Sequence, residues 1–498
     1  MNTISKYKNF IVEYVLSLTI ILIYWGGMLR KSFNADTLSH MFGVNPDITV
    51  NIEDGRYVIA LFDSVLFKLG IRTTDFISLF MLLSLALIAM AAVLLVRLFY
   101  KAIVIEDNSS ERRWLPLLGI VTSVSLVFLN VYFMEPLCFA EMSVYFGLAY
   151  LLSTLGVLLY VKGKKLLAVL LFLIAAMTYQ YSVVYSAIIL VFYTIIEERF
   201  HWSIRLIRKE IIAILITFGA GLFDLLIIKL LAKIGVAGGF RKDMNVTNLG
   251  DKLSLAVKSL FNIYKGADGL LLNIYLPLLV AVLLLGGAIY ISISNKDIHF
   301  IWIFIVANIV SLVLMYIIPL MNGDFYLPGR MAFTFFLIQG LSALCIILRL
   351  SEDKSKVVNL LSMTMVSYAF IQLIFIHFII VDRFVSNEMD ILVATQVEQA
   401  IEEYEHSSGN TVTTLVVAHD NFTPDYYEDL NFHAYQINER TVSIVPITII
   451  RYVSGRVYEK EVMSNEDRIA MFGDVNFEIL NLTEQLKFDN DRAYWCIY

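Results

Sequence analysis

Long apolar stretches recur along most of this chain, and they constrain its fold more than any other feature. The first runs from Phe10 to Leu29 and has the length of about 20 residues that an α-helix needs to cross a membrane. Over the whole chain, 58% of the residues are hydrophobic and 16% are charged, with a mean hydropathy of +0.73. Soluble domains are about half apolar and about a quarter charged. The pattern predicts a mainly α-helical protein that crosses the membrane many times.

Charge divides the chain into two parts. Residues 382–498 carry 8 Lys and Arg against 21 Asp and Glu, whereas residues 1–381 have a net charge of +7. We therefore predict a polytopic membrane domain over 1–381 and an acidic, water-soluble domain over 382–498. This balance argues against nucleic acid as a partner, because such binding requires clustered Lys and Arg.

The C-terminal part has the patterns of a small α/β domain. Apolar residues recur at helical spacing over 387–406, and Gly409-Asn410 follows as a helix end. Strands are predicted at 411–418, 442–451 and 495–498.

The excess of Lys and Arg on the cytoplasmic side predicts the orientation. Lys6 and Lys8 place the N-terminus inside, so that the loop from Arg30 to Tyr57 lies outside. The amphipathic stretch 58–71 is too short to span and is expected to lie in the outer membrane interface.

The interval 166–196 decides the rest of the topology. The segment after it, 199–209, is strongly basic and is expected to be cytoplasmic. Two short helices with a turn at 178–181 satisfy this expectation, and one long tilted helix is the alternative. With two helices the chain has about eleven spans, and the domain over 382–498 is extracytoplasmic.

The predicted outer loops carry conspicuous polar residues, several of them a few positions from a span. They are Asp36, Asp54 and Arg56 in the first loop, Glu135 and Glu141 in the second, Gln180 in the third, Arg241 and Lys242 in the fourth, and Asp324 and Arg330 in the fifth. The alternative explanation is that outer loops are polar simply because they are exposed to water. A charge close to hydrocarbon is costly, however, and is usually functional. The set as a whole predicts an active site that opens to the outside.

These residues match the needs of sugar transfer from a lipid phosphate. The leaving phosphate is already a weak base, so the enzyme need not protonate it as a glycosidase protonates its leaving group. One general base must take the proton of the acceptor hydroxyl, and Asp36 is the candidate. Arginine suits the departing phosphate because its planar fork binds two oxygens, which indicates Arg56 and Arg330. Asp54 is the candidate for orienting the base or the arginines.

Four short motifs, taken in their order and placement, resemble the bacterial serotype-converting glucosyltransferases of the Gtr type II class, polytopic enzymes of the GT-C kind. The motifs are Asn34-Ala35-Asp36, Asp54-Gly55-Arg56-Tyr57, Tyr179-Gln180 and Pro328-Gly329-Arg330. Ala35 stands where many members are expected to have a second acid. The resemblance implies an inverting transfer of a hexose such as glucose from undecaprenyl phosphate to a surface glycan such as O-antigen.

The resulting hypothesis is a glycosyltransferase of the bacterial cytoplasmic membrane that works at its outer face. Its candidate site residues are Asp36 and Asp54 for catalysis, and Arg56, Tyr179, Gln180, Asp324 and Arg330 for substrate binding. The expected partners are a polyprenyl-phosphate-sugar donor, a surface glycan acceptor, membrane lipid, and the donor synthase and flippase. No cofactor is expected, because the sequence has no dense cluster of metal ligands, although the outer acids would also suit a divalent cation.

Two other functions remain open from the sequence, a lipid-linked sugar flippase or other transporter and a surface-polysaccharide polymerase. A transporter should have several charges near the middle of its spans, whereas Asp224 is nearly alone there. Asp224 lines a cavity or serves packing beside Gly219 and Gly221. His40 is either a second proton acceptor beside Asp36 or a solvated loop residue.

Overall fold

The computed structural model describes residues 3–42, 48–104, 114–236, 247–352, 356–419, 440–473, 475 and 481–497. The chain divides into two compact units. The first, here called the helical unit, comprises Met1–Leu29, Asn45–Leu137 and Met142–His377. The second, here called the sheet unit, comprises Arg30–Val44, Cys138–Glu141 and Phe378–Tyr498.

Helices dominate the described residues. In chain order they are α1 (Thr3–Trp25), α2 (Ala35–Phe42), α3 (Ile48–Glu53), α4 (Tyr57–Lys68), α5 (Ile77–Val104), α6 (Trp114–Ser125), α7 (Met134–Cys138), α8 (Ser143–Val161), α9 (Lys165–Ala176), α10 (Ser182–Glu197), α11 (Ile204–Lys233), α12 (Leu249–Gly266), α13 (Leu276–Ser294), α14 (Ile298–Met321), α15 (Gly329–Ala332), α16 (Thr334–Glu352), α17 (Val357–Ser408), α18 (Thr441–Ile444), α19 (Pro446–Ser454), α20 (Asn465–Phe472) and α21 (Leu482–Gln485). Short 3-10 helices lie at Gly26–Leu29, Thr73–Phe76, Val131–Phe133 and Ala267–Gly269.

Eight helical segments within the described residues are long and apolar enough to cross a membrane, in α1, α5, α8, α11, α13, α14, α15–α16 and α17. Three shorter apolar helices, α6, α9 and α10, stand where the remaining spans are predicted. These helices confirm a mainly α-helical, polytopic membrane protein. The number of crossings and the side of each loop stay predictions.

The interval 166–196 forms two short helices, as predicted. Between α9 and α10 the Tyr179 N–H donates to the Ala175 carbonyl at 2.8 Å, and the Ser182 N–H donates to the Tyr179 carbonyl at 3.0 Å. These bonds make a tight turn at the junction of the two helices. The turn holds Tyr179 and Gln180, which the sequence singled out.

α6 is shorter than the predicted span over 114–134, and Asn130 explains why. Its side-chain amide donates to the Leu126 and Val127 carbonyls at 3.0 and 2.8 Å. A side chain that satisfies backbone groups in this way competes with continuation of the helix. The chain turns here and enters α7, which carries Glu135.

The predicted last span (357–381) and the predicted tail helix (387–406) are one continuous helix, α17, so the prediction of two separate helices is wrong. The sequence contains no Gly or Pro between Val357 and Ser408, and these are the residues that most strongly break a helix. Gly409, with a φ of +75°, ends the helix. The domain boundary predicted at 381/382 therefore falls inside a helix.

Among its described residues the sheet unit contains four strands, β1 (Thr414–His419), β2 (Glu459–Val462), β3 (Leu486–Asp489) and β4 (Arg492–Ile497). Their order is β2-β1-β4-β3, with β1 parallel to both neighbours and β3 antiparallel to β4. Ala418, Phe472 and Cys496 form a buried apolar cluster beside the sheet. The predicted combination of helices and strands near the C-terminus is confirmed.

The strand predicted over 442–451 is wrong, because α18 and α19 occupy this stretch. Its β-branched residues favour a strand, but Pro446 lacks the N–H that a strand would donate and has a φ suited to the first turn of a helix. Pro446 begins α19, and Ile449 and Ile450 are buried in it.

Candidate functional site

Arg330 and Glu135 form a buried ion pair in the helical unit. Arg330 lies at the start of α15 and Glu135 in α7. The Arg330 Nη1 contacts Glu135 Oε1, and the Arg330 backbone N–H donates to Oε2 at 3.1 Å. The exposed fraction of the side chain is 14% for Arg330 and 2% for Glu135. Each charge is tolerated there because the other compensates it.

The surroundings of the ion pair are tight. A Cβ at Gly329 would lie 2.7 Å from Glu135 Oε2, so a larger residue would displace the carboxylate. Burial raises the pKa of Glu135, and the Arg330 guanidinium offsets part of that rise. The Tyr326 ring centroid lies 5.7 Å from the Arg330 guanidinium carbon, within the range of a cation–π contact.

Tyr179 contacts the same segment. Its hydroxyl donates to the Arg330 carbonyl at 3.1 Å, and its side chain lies within electrostatic range of both Arg330 and Arg56. Tyr179 is buried, and its ring packs edge-on against Phe146 with 4.8 Å between centroids. The helical unit thus brings two arginines close to one buried phenol.

Gln180 holds the turn of Asp54, Gly55 and Arg56 against α11. Its side-chain nitrogen donates to the Asp54 carbonyl and, at 3.3 Å, to Asp224 Oδ2. Gly55 has a φ of +73°, and a Cβ there would lie 2.7 Å from Asp224 Oδ2, so glycine is needed for both reasons. Asp54 Oδ2 lies 3.4 Å from Arg56 Nη1. The turn therefore presents the Asp54 carboxylate and the Arg56 guanidinium together.

Three buried polar atoms near this turn have no hydrogen-bond partner among the described residues. They are Arg56 Nε, Tyr57 Oη and Asp224 Oδ1. Buried polar atoms are nearly always paired, and each unpaired one costs free energy. These three atoms are therefore able to bind a polar group of a ligand.

Tyr132 and Asp268 are residues that the sequence reasoning did not single out. The Tyr132 hydroxyl donates to Asp268 Oδ2, and Tyr132 lies beside Gly329, next to the Arg330 ion pair. The signal in the sequence was an aspartate between loop glycines, Gly266 and Gly269. Its partner on a distant segment could not be predicted.

Asp36 belongs to the sheet unit, at the start of α2. Asn34 caps this helix, because its side chain accepts from the Thr37 N–H at 2.7 Å. The Asp36 side chain is exposed, and its charge is favourable in the first turn of a helix. Within α2, His40 Nδ1 lies 3.0 Å from the Asp36 carbonyl oxygen.

Glu141 provides a second acid beside Asp36, although Ala35 occupies the neighbouring position in the motif. Glu141 is buried, and its Oε2 lies 2.6 Å from the Thr37 hydroxyl. Burial raises the pKa of Glu141, the nearby His40 and the Thr37 hydroxyl oppose that rise, and the Asp36 charge adds to it. The sheet unit thus combines an exposed and a buried carboxylate.

The other predicted positions contribute less. Asp324 is exposed and has no hydrogen bond or ion pair with another described residue. Arg241 and Lys242 lie outside the described residues. Within the described ranges, no group of three His, Cys, Asp or Glu side chains is arranged to hold a metal ion.

The helical unit therefore brings together five of the predicted site residues, Asp54, Arg56, Tyr179, Gln180 and Arg330. Asp36 is in the sheet unit, with Glu141 and His40.

A comparison with protein families matches residues 26–347 to the model described as glucosyl transferase GtrII. This stretch includes every residue of the two clusters described above. No curated protein and no solved structure matches the chain.

Proposed function

The chain belongs to the GtrII glucosyl transferase family, and on this premise we propose that it moves glucose from a polyprenyl-phosphate donor to a surface glycan such as O-antigen. The reaction takes place at the outer face of the bacterial cytoplasmic membrane. Membership of the family does not determine the acceptor glycan or the linkage that is formed. It favours sugar transfer over the flippase alternative.

The observation that carries this proposal is that Tyr179 and Gln180, adjacent in one turn, hold the backbone of Arg330 and of the turn that contains Arg56. A lipid-linked phosphate needs cationic groups that remain charged near hydrocarbon, and arginine meets this need because its guanidinium is always protonated. Glu135 fixes the orientation of Arg330, and Asp54 does the same for Arg56. The two guanidinium groups bind the phosphate oxygens of the donor.

Asp36 is the general base of the proposed reaction. As the acceptor oxygen attacks the anomeric carbon of glucose, its proton passes to the Asp36 carboxylate. The bond between the anomeric carbon and the phosphate oxygen breaks, and the polyprenyl phosphate leaves with the electron pair. Attack from the face opposite the phosphate inverts the anomeric configuration. No acid is needed for the leaving group, because a phosphate is a weak base.

Glu141 and His40 tune the base. Burial raises the pKa of Glu141, and the charge of Asp36 adds to that rise, so the two carboxylates influence each other electrostatically. His40, on the same helix as Asp36, is a route by which the proton can leave for solvent.

The donor defines the remaining partners. A polyprenyl-phosphate sugar must be made by a membrane synthase and brought to the outer leaflet by a flippase. The C-terminal domain, predicted to be extracytoplasmic, helps to choose the acceptor glycan.

Transfer of labelled glucose by the purified protein in nanodiscs tests the proposal. Wild type should transfer from polyprenyl-phosphate glucose and not from a nucleotide-linked glucose. Arg330→Ala should weaken donor binding by about 10- to 100-fold, the effect of losing charged hydrogen bonds, and Arg330→Lys should restore part of it. Arg205→Ala, at a site with 76% side-chain exposure, is the matched control and should bind the donor normally. Absence of transfer from the lipid donor by well-inserted wild type would refute the proposal.

A further inference from the structure

The turn after α12 has an unusual backbone. Ala267 and Asp268 have φ values of 50° and 55°, and Leu272, Asn273 and Tyr275 have values of 49°, 54° and 54°. Non-glycine residues adopt this left-handed conformation at a free-energy cost and keep it where surrounding structure holds them, often at functional sites. In this turn the acidic side chain is that of Asp268.

The Asp268 carboxylate is exposed and only partly engaged. Its Oδ2 accepts a hydrogen bond from the Tyr132 hydroxyl, and Tyr132 itself is 2% exposed. Asp268 Oδ1 makes no hydrogen bond with another described residue. The contact with a buried tyrosine orients the carboxylate and leaves one of its oxygens to accept from a ligand.

Tyr132 lies next to the Arg330 ion pair. A Cβ at Gly329 would lie 3.3 Å from the Tyr132 ring and 2.7 Å from Glu135 Oε2, so both residues border the same glycine. The segment that places Glu135 against Arg330 therefore also places Tyr132 against Asp268.

Two tyrosines lie near the Asp268 carboxylate, Tyr132 through its hydroxyl and Tyr316 through its charge interaction. Tyr316 lies within electrostatic range of both Asp268 and Tyr264, and its ring stacks on Phe325 with 6.3 Å between centroids. Aromatic rings offer flat apolar faces, and a carboxylate accepts strong hydrogen bonds from hydroxyl groups. A sugar ring has both C–H and O–H groups, which suit an aromatic face and a carboxylate respectively.

We propose that Asp268, oriented by Tyr132, binds a hydroxyl group of the sugar that is being transferred. This inference rests on the proposed function and extends it from the donor phosphate to the donor sugar. A carboxylate repels a phosphate but not a neutral hexose. Asp268 and the arginines therefore bind different parts of the donor. Arg330 and Arg56 hold the phosphate, and Asp268 holds the hexose.

A series of polyprenyl-phosphate donors that each lack one glucose hydroxyl tests this assignment. With wild type, one deoxy donor should lose about 10- to 100-fold in kcat/KM, the effect of one charged hydrogen bond. With the complete glucose donor, Asp268→Ala should have a kcat/KM about 10- to 100-fold below that of wild type. Replacing this donor with that same deoxy donor should not lower the kcat/KM of the variant further. The milder variants Asp268→Asn and Tyr132→Phe should show smaller losses at the same hydroxyl. Asp251→Asn, an exposed acid in α12, is the control and should behave as wild type.

The outcomes separate the two proposals. Suppose that wild type transfers glucose, and that each deoxy donor lowers kcat/KM by the same factor in the Asp268 and Tyr132 variants as in wild type. The hydroxyl-binding role is then overturned, and the proposed function stands. If well-inserted wild type transfers no sugar from any polyprenyl-phosphate donor, the proposed function is overturned, and this inference with it.

Discussion

Glu135 and Glu141 are buried acids close in sequence, and they show two ways of keeping a carboxylate out of water. Glu135, in the helical unit, is 2% exposed and is compensated by the guanidinium and backbone N–H of Arg330. Glu141, in the sheet unit, is 3% exposed and is compensated by the Thr37 hydroxyl, near His40 and Asp36. Burial raises the pKa of both, but a fixed cation opposes the rise at one and weaker partners oppose it at the other.

This difference matches two different tasks. At Glu135 the paired guanidinium opposes the rise in pKa, and the ion pair holds the Arg330 side chain in place. At Glu141 the carboxylate lies near a hydroxyl, an imidazole and another acid, and the charge of that acid, Asp36, adds to the rise in its pKa. In the proposed mechanism, Glu135 therefore orients the arginine that binds the donor, and Glu141 adjusts the electrostatic surroundings of the general base.

The largest stability effect should come from Glu135→Ala. This change leaves the Arg330 guanidinium buried without its counter-charge, which should lower the free energy of unfolding by about 3–5 kcal/mol. Unfolding in mixed detergent micelles measures the change.

Two controls sharpen that result. Asp324→Ala removes an exposed acid in the same unit and should change the free energy of unfolding by less than about 0.5 kcal/mol. Glu141→Ala removes a carboxylate without exposing a buried cation and should cost about 1–3 kcal/mol. Equal losses for the two glutamate variants would remove the distinction between them.

The smaller effect should be the part of the pH dependence of stability that Glu141 contributes. A pKa raised in the folded state means that the folded protein holds the proton more tightly than the unfolded chain does. The stabilisation is therefore complete below the ordinary value of 4.5 and is lost as the pH rises through the raised value. Each unit of raised pKa corresponds to about 1.4 kcal/mol.

Glu141→Gln should remove this dependence. Unfolding of wild type and of Glu141→Gln between pH 4 and pH 8 should show that the variant gains stability relative to wild type as the pH rises. A constant difference over this range would mean that Glu141 does not titrate with a raised pKa.

Much of the fold was predictable from local patterns in the sequence. Apolar length identified the helices, and the basic segment after residue 197 predicted the break between α9 and α10. Prediction failed where one side chain overrode a pattern. Asn130 ends α6 early, and Pro446 turns a β-branched stretch into a helix. Conversely, α17 contains no Gly or Pro and therefore continues through the domain boundary at 381/382 that the change in composition had suggested.

The candidate site was predictable in its residue types but not in its pairings. The motifs indicated Asp54, Arg56 and Arg330, because charged residues near the hydrocarbon of a membrane usually have a function. That Arg330 pairs with Glu135, and Asp268 with Tyr132, depends on contacts between segments far apart in the chain. Such contacts leave no periodic signal in a single sequence.

The proposed mechanism depends above all on Asp36 as the general base of glucosyl transfer from a polyprenyl-phosphate donor. The most direct test compares wild type and Asp36→Asn in nanodiscs, with the rate of glucose transfer and the affinity for the donor measured on the same preparations. If Asp36 is the base, the variant should transfer glucose about 100- to 10,000-fold more slowly, the usual contribution of a general base, with donor affinity unchanged. A near-normal rate for correctly inserted Asp36→Asn would contradict it.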